Sequence, residues 1–494
     1  MCYTQTFLAI ITLICSLLLT FLPSKTLPWN WPLMKLLPTA YLRSHELYDK
    51  LTQVLAESNG TILCRTSWYT NVDTLVTSDP RNVQHVLNSR SSLYQRGSEF
   101  RKVFDFLGEA VFVKGIKEWK EDKKVTHGFF KESGFHAAAP GIIRRTLETG
   151  LVPVLRHAAA SGGVLDLQEV FSRYMIDATC LMATGSDMAS LRVGFPPCPL
   201  REAMDDMADA VFWRNVLPEK VWRMQNLLGV GTERKMARAC NDLNQIIDSL
   251  MSSRKNQDLA GGGGGFDVLE YYIAGGDRKE TLTKEFIKAN IMTLFFAARD
   301  TSAAILTWFF YLISANPRVK KAVLEEIERI SPAREHLFSD AEDLSKLVYL
   351  HCALTESLRL FPPAPVIMRD PTEEDVLPSG HRVGKSTKIV MCSYAMAREA
   401  AIWGDDCGEF KPERWMCKGG GVRHVASHSF LAFGSGPWAC PGRELALARM
   451  KGVAATILHN FDVEVLEGQR VSPSVSAFLT VKNGLKASVS SRWL

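Results

Sequence analysis

Near the C-terminal end, one cysteine is bracketed by glycines and prolines: Phe433-Gly434-Ser435-Gly436-Pro437-Trp438-Ala439-Cys440-Pro441-Gly442. Helices and strands do not tolerate Gly and Pro at this density, so the segment predicts a tight loop. The pattern after Pro441 predicts a helix starting directly behind it. A thiol in that place meets backbone N–H groups of the turn and the positive end of the helix, and both favour the thiolate. The small residues let a flat group approach the backbone. A loop cysteine with incidental glycines is the competing reading of the segment on its own. The chain has 11 cysteines, an odd number without any CxxC pair, which argues against a disulfide scaffold. Most are expected to be reduced and buried.

A cysteine thiolate placed like Cys440 suits the proximal ligand of haem iron, where it pushes electron density towards O–O cleavage. Two further motifs lie upstream. Glu356-Ser357-Leu358-Arg359 puts a carboxylate and a guanidinium on one helix face. Such a pair is usually a solvated surface contact. Here the helix is apolar and Pro412-Glu413-Arg414-Trp415 follows, so a buried network of Glu356, Arg359 and Arg414 is expected. Ala297-Ala298-Arg299-Asp300-Thr301-Ser302 interrupts an otherwise apolar helix. A hydroxyl and an acid there are costly unless they serve something. Thr301 could open a groove for dioxygen and Asp300 could relay protons. An ordinary Thr back-bond beside an Asp–Arg surface pair is the alternative. His424 and His428 sit in a loop with no third ligand and read as solvated side chains rather than a metal site.

The stretch from Tyr3 to Leu22 carries no charge (FLAIITLICSLLLTFL within it), and twenty helical residues span about 30 Å, the thickness of a bilayer core. Residues 1–22 are therefore expected to form a membrane anchor rather than a cleaved signal peptide, since no Lys or Arg precedes the run and no small-x-small site follows it. Lys25, Lys35 and Arg43 place the remainder on the cytosolic side. Pro23, Pro28, Pro32 and Pro38 with Trp29 and Trp31 make 23–40 a stiff hinge at the interface. Residues 41–494 are expected to form a single domain, mainly α with a small β region. Strands are expected at Thr61–Tyr69, Asp73–Thr77 and Val383–Met391. Helices are expected from Pro80 to about Leu87, over 283–314 with Thr283 as N-cap, from Pro317 to Ile330, and over 344–360. Gly261–Gly265 reads as a flexible loop. Hydrophobic residues at 46% and charged residues at 22% exclude a disordered or many-span chain, and a net charge of +5 over 494 residues is too mild for a nucleic-acid partner.

The order 301, 356–359, 412–415, 440 resembles the cytochromes P-450, the haem-thiolate monooxygenases, over nearly the whole chain. The resemblance implies the cytochrome P-450 fold, with haem (iron protoporphyrin IX) between the long helix and the cysteine loop. It makes Cys440 the axial ligand to iron, with Phe433, Gly434, Gly436, Trp438 and Gly442 around the cofactor. It gives Thr301 and Asp300 the delivery of protons to bound oxygen. Trp119 and Lys123 match the place of a Trp and an Arg facing a haem propionate, and Arg369 is a further propionate partner. Glu356, Arg359 and Arg414 lock the haem-side scaffold. Three departures stand out: Trp438 where an Arg is usual, Lys123 where a bidentate Arg is usual, and Ala298 where a Gly is usual.

Segments such as Val164–Phe171, Leu306–Phe310 and Glu374–Gly380 resemble the plant fatty-acid ω-hydroxylase branch. They imply a long-chain fatty acid or derivative, hydroxylated at or near its terminal carbon. Phe104, Phe106, Phe112, Phe295, Phe296, Val366, Ile367, Phe478 and Leu479 are the expected lining of an apolar pocket. Electrons would come from a separate NADPH-dependent flavoprotein reductase in the same endoplasmic reticulum membrane, with O2 as oxidant. A reductase-independent hydroperoxide isomerase or dehydratase, and a non-catalytic haem- or lipid-binding relative, are the alternatives.

Overall fold

The computed structural model describes residues 46–493 apart from 66–71, 260–265, 275–281, 333, 386 and 475. The expected anchor and hinge, the end of the first strand and the glycine run lie outside the described residues. Among the described residues no helix is long and apolar enough to cross a membrane.

The organising element is the helix Lys284–Ser314, about 46 Å long at 1.5 Å per residue. Thr283 caps it: its hydroxyl accepts from the Phe286 N–H at 3.2 Å. Asn316-Pro317 ends it, because a residue before proline avoids the α region. Apolar side chains cover most of its circumference, so it has to be buried on most sides. It does so between two large apolar clusters. One contains Phe309 and Leu306 with Phe171 of the 167–184 helix, Leu354 of the 348–360 helix and Val453 of the 443–460 helix. The other contains Phe295 and Ile291 with Met204, Val211 and Leu243. Trp308 stacks flat on Phe361 at 3.8 Å and donates its indole N–H to the Leu479 carbonyl at 2.8 Å.

A five-stranded sheet lies to one side, in the order Thr61–Cys64, Thr74–Thr77, Lys388–Cys392, Val366–Pro371, Tyr94–Gln95. Thr74–Thr77 and Lys388–Cys392 run parallel and the other neighbours antiparallel. A smaller sheet joins Val164–Asp166 and Phe461–Val465 to Lys486–Ser491.

Two expected elements are split. The 383–391 strand breaks into Arg382–Val383 and Lys388–Cys392, because Thr387 turns back on Gly384: its N–H donates to the Gly384 carbonyl at 2.9 Å and its hydroxyl accepts from the Gly384 N–H at 3.0 Å. The 344–360 helix is two, Ala341–Lys346 and Val348–Leu360, with non-helical Leu347 between them. The second starts on a distant cap. The buried Glu326 carboxylate accepts from the N–H groups of Tyr349 and Leu350 at 2.7 and 2.9 Å.

Candidate active site

The cysteine loop is held by its own backbone and by one asparagine. Cys440 N–H donates to the Phe433 carbonyl at 2.7 Å, closing the loop. Asn88 donates to the Ser435 hydroxyl at 2.9 Å. Gly434 and Gly436 have φ of +71° and +63°. A Cβ on Gly436 would stand 1.9 Å from the Leu87 carbonyl oxygen, so both conformation and space demand glycine there. The helix Arg443–Asn460 begins just after the loop, as the sequence predicts. Burial pushes the Cys440 thiol up, while the Gly442 N–H and the Arg443 charge pull it down.

Cys440 opens onto an apolar cavity of about 750 Å³. The small-residue stretch of the long helix, Ala297, Ala298, Thr301 and Ser302, forms another part of its wall. Ala298, which stands where glycine is usual, puts its methyl into this wall. The rest of the lining agrees in part with expectation. Phe104, Phe112, Phe296, Val366, Ile367 and Phe478 border the cavity. Phe295, Phe106 and Leu479 do not, which corrects the expectation. Phe295, one residue from Phe296, is rotated about 100° round the helix into the core. Phe106 packs behind Phe104 and Phe296 at 6.2 and 5.6 Å. Leu479 is fully buried with Tyr48, Leu51 and Tyr394.

One edge of the cavity collects cations. Trp438 stacks on Trp119 with centroids 4.0 Å apart. The Arg369 guanidinium lies 4.8 Å from the Trp438 ring and that of Arg96 5.1 Å from it. Both guanidiniums leave a buried Nε without a partner. Burial drives both down in pKa, Arg369 to about 10 against the opposing pull of Asp370, and neither makes an ion pair among the described residues. Buried cations are not normally left so; they await an anion. Lys123 is placed otherwise than expected. Its ammonium lies over Trp119 and donates to the Pro437 carbonyl at 2.7 Å, so it ties the cysteine loop from outside.

On the long helix, the Thr301 hydroxyl donates back to the Ala297 carbonyl at 2.8 Å and faces the cavity. Asp300 does not border the cavity. Its carboxylate accepts from Arg299 Nε at 2.7 Å, and Arg299 also reaches Asp205 and the Arg201 carbonyl. The pair is buried, not on the surface. Asp300 Oδ2 has no partner, and burial together with Asp205 raises the carboxyl to about 6.

The structure brings the predicted ion network together. Arg359 meets Glu356 through two bonds of 2.8 and 2.7 Å, in a fully buried pair. Glu356 accepts further from Arg414 at 3.2 Å, Trp415 Nε1 at 2.7 Å and the Lys411 N–H at 3.1 Å. Arg359 also donates to the carbonyls of Ala397, Cys407 and Glu409. Each charge is satisfied, which a buried network requires. It braces the irregular segment leading to the cysteine loop.

Arg96 and Arg299 were not singled out by the sequence reading. Arg96 follows the two-residue strand Tyr94–Gln95, whose pairing with Pro371 and Asp370 delivers it beside Arg369. Only that long-range pairing marks it. Arg299 was quoted as a motif neighbour, but its partner Asp205 lies on another helix.

A thiol on the floor of an apolar slot, small residues in its wall and unpaired guanidiniums at its edge fit a flat, metal-bearing macrocycle with anionic side chains. That is the site of a haem-thiolate protein. The chain belongs to the cytochrome P450 family, whose model matches residues 24–489. It is similar to the alkane hydroxylase MAH1 of Arabidopsis thaliana, 39% identical over 470 residues covering 94% of this chain and 93% of that one. It is 34% identical over 490 residues to noroxomaritidine synthase 2 of Narcissus pseudonarcissus, covering 97% and 94%. It is 32% identical over 478 residues to cytochrome P450 86B1 of Arabidopsis thaliana, covering 94% and 85%. The chain is thus a monooxygenase, an oxidoreductase that uses haem, O2, reductase-supplied electrons and a lipophilic substrate.

Proposed function

We propose that this P450 hydroxylates a long-chain fatty acid or fatty-acid derivative at or near its terminal carbon. The observation that carries the reading is the aromatic and aliphatic cavity of about 750 Å³ that ends on Cys440. Such a lining holds an alkyl chain by burial alone and excludes water from it. The named activity of the alkane hydroxylase relative acts in the same direction.

Cys440 would ligate the iron and Arg96 and Arg369 would hold the propionates, while Gly436, which does not border the cavity, serves the loop by letting it pass the Leu87 carbonyl. Haem bound there supplies the activation of dioxygen. The remaining work falls to the chain's own side chains. Phe104, Phe112, Phe296 and Phe478 confine the substrate so that one end of it reaches the floor. Thr301 Oγ1 presents a hydroxyl to the cavity and can pass on a proton when it leaves the Ala297 carbonyl. Asp300, raised to about 6, can take up and release a proton near neutrality. Asp205, half-exposed, connects that pair with solvent.

Residues 1–22 as a membrane anchor and 23–40 as a hinge belong to the same proposal, with a flavoprotein reductase in the endoplasmic reticulum membrane as electron donor. The test is a set of substrate-binding difference spectra and product analyses on the reconstituted enzyme with fatty acids and alkanes of graded length. Tight binding over a narrow window of lengths, with product at the chain end, supports the reading. Failure of every chain length to bind, or hydroperoxide turnover without reductase, overturns it.

A further inference from the structure

The cations around the cavity divide by what already holds them. Lys102 is held by Glu99 and Glu219 at 2.6 and 2.9 Å. Arg214 is held by Glu233 at 2.8 Å and Asp105 at 2.6 Å. Arg96 and Arg369 lie against Trp438 on the haem edge. Arg449, on the helix after Cys440, is buried and donates to the Ala178 carbonyl at 3.3 Å. Lys388 is left. It borders the cavity, and its ammonium has Asn215 Oδ1 at 3.5 Å, a long contact.

Strand geometry fixes which way it points. In the antiparallel pairing, Arg369 stands opposite Ile389 and Met368 opposite Val390. Paired residues share a face, and successive residues alternate. Arg369 thus leaves one face of the sheet for the haem edge. Lys388 leaves the other, with Val390, Met368 and Val366. The parallel neighbour adds Thr74, paired with Lys388, and Val76, paired with Val390. All of these border the cavity. The result is a mostly apolar wall with Thr74 and the Lys388 ammonium at one end. Lys388 is half-buried and borders the cavity, and its contact with Asn215 is open to solvent, so the ammonium stands at the mouth of the cavity.

Two acids face this end. Asp370 stands across the strand, and its carboxylate is packed under Gly97, where a Cβ would come within 1.8 Å of it. Glu99 is taken by Lys102. Neither makes an ion-pair contact with Lys388 among the described residues. Burial outweighs both and lowers the ammonium's pKa, which is the state of a cation short of a close anion.

We propose that Lys388, with Asn215 beside it, receives the carboxylate of the substrate and so makes this P450 selective for acids over neutral chains of the same length. The inference rests on the long-chain reading above. It sets which end of the chain is held and which is presented to Cys440.

The test uses the haem-loaded enzyme and binding difference spectra with hexadecanoic acid, methyl hexadecanoate and hexadecane, for wild type, Lys388→Met and Lys388→Arg. A charge-assisted hydrogen bond to a carboxylate predicts about tenfold tighter binding of the acid than of the ester in wild type. That advantage disappears in Lys388→Met and returns in Lys388→Arg, with ester and alkane shifting by less than about twofold. Equal wild-type affinity for acid and ester, or a Lys388→Met loss common to all three probes, overturns the assignment while leaving the long-chain reading intact. Binding of none of the three overturns the long-chain reading itself. Haem content is measured in each variant; a fall in Lys388→Met would place the ammonium on the cofactor instead and would also overturn the assignment.

Discussion

Gly436 shows how narrowly a single position can be constrained. Its φ of +63° and the 1.9 Å approach of a hypothetical Cβ to the Leu87 carbonyl leave no room for a methyl. Gly436→Ala should therefore cost about 2 kcal/mol or more, from overpacking and left-handed backbone together. Purified protein should show reduced haem occupancy, read as absorbance ratio, alongside a lower melting temperature. Trp438 is a different matter. From sequence it looked like a lost arginine. In the fold it is the plate between Trp119, Arg369 and Arg96, and Arg96 supplies a guanidinium to the same edge. Trp438→Ala should speed haem transfer to an acceptor such as apomyoglobin several-fold, since stacking and cation–π contacts worth about 1–2 kcal/mol are removed. Trp438→Phe should restore most of the retention. Cys440, Thr301 and the Glu356–Arg359 pair were legible because each is marked by its own neighbours in sequence. Arg96 was not, because its meaning comes from a strand pairing across more than two hundred residues.

Periodicity found the long helices. It found Lys284–Ser314 to within a residue, because its cap and its Asn-Pro stop are local signals. It failed where a remote group decides the boundary. The break at Leu347 is imposed by Glu326, which belongs to the Pro317–Ile330 helix and caps the start of Val348–Leu360. Glu326→Ala should destabilise by about 1–2 kcal/mol, the scale of a lost helix cap. Denaturant melts of the haem-loaded protein should show the midpoint falling with the slope unchanged. The pocket expectation missed at Phe106, Phe295 and Leu479 for a similar reason. It selected apolar residues flanking the motifs, whereas rotation round a helix decides that Phe296 borders the cavity and Phe295 packs into the core.

The catalytic domain as a whole is completed by a group it does not encode. Two buried guanidiniums with an unpartnered Nε, the accessible Cys440 thiol and a cavity of about 750 Å³ all belong to one region. Removing haem should therefore lower the melting temperature and make it depend on added haem, as linkage requires of a ligand that binds the native state. Hydrogen exchange should rise first in the 433–442 loop and around Arg96, where the anchoring contacts are lost. The fold class was legible from motif order, and the chain's place in the P450 family agrees with it. The shape of the cavity was not legible, because its wall is assembled from every part of the chain.

That assembly has a practical side. Leu47 near one end of the described chain and Phe478 near the other border the same cavity, with the 96–130, 211–222, 290–305 and 363–390 segments between them. No contiguous cassette therefore carries the substrate preference. A chimaera exchanging one block with a relative inherits a patchwork lining, and a change of preference has to be engineered at scattered positions simultaneously.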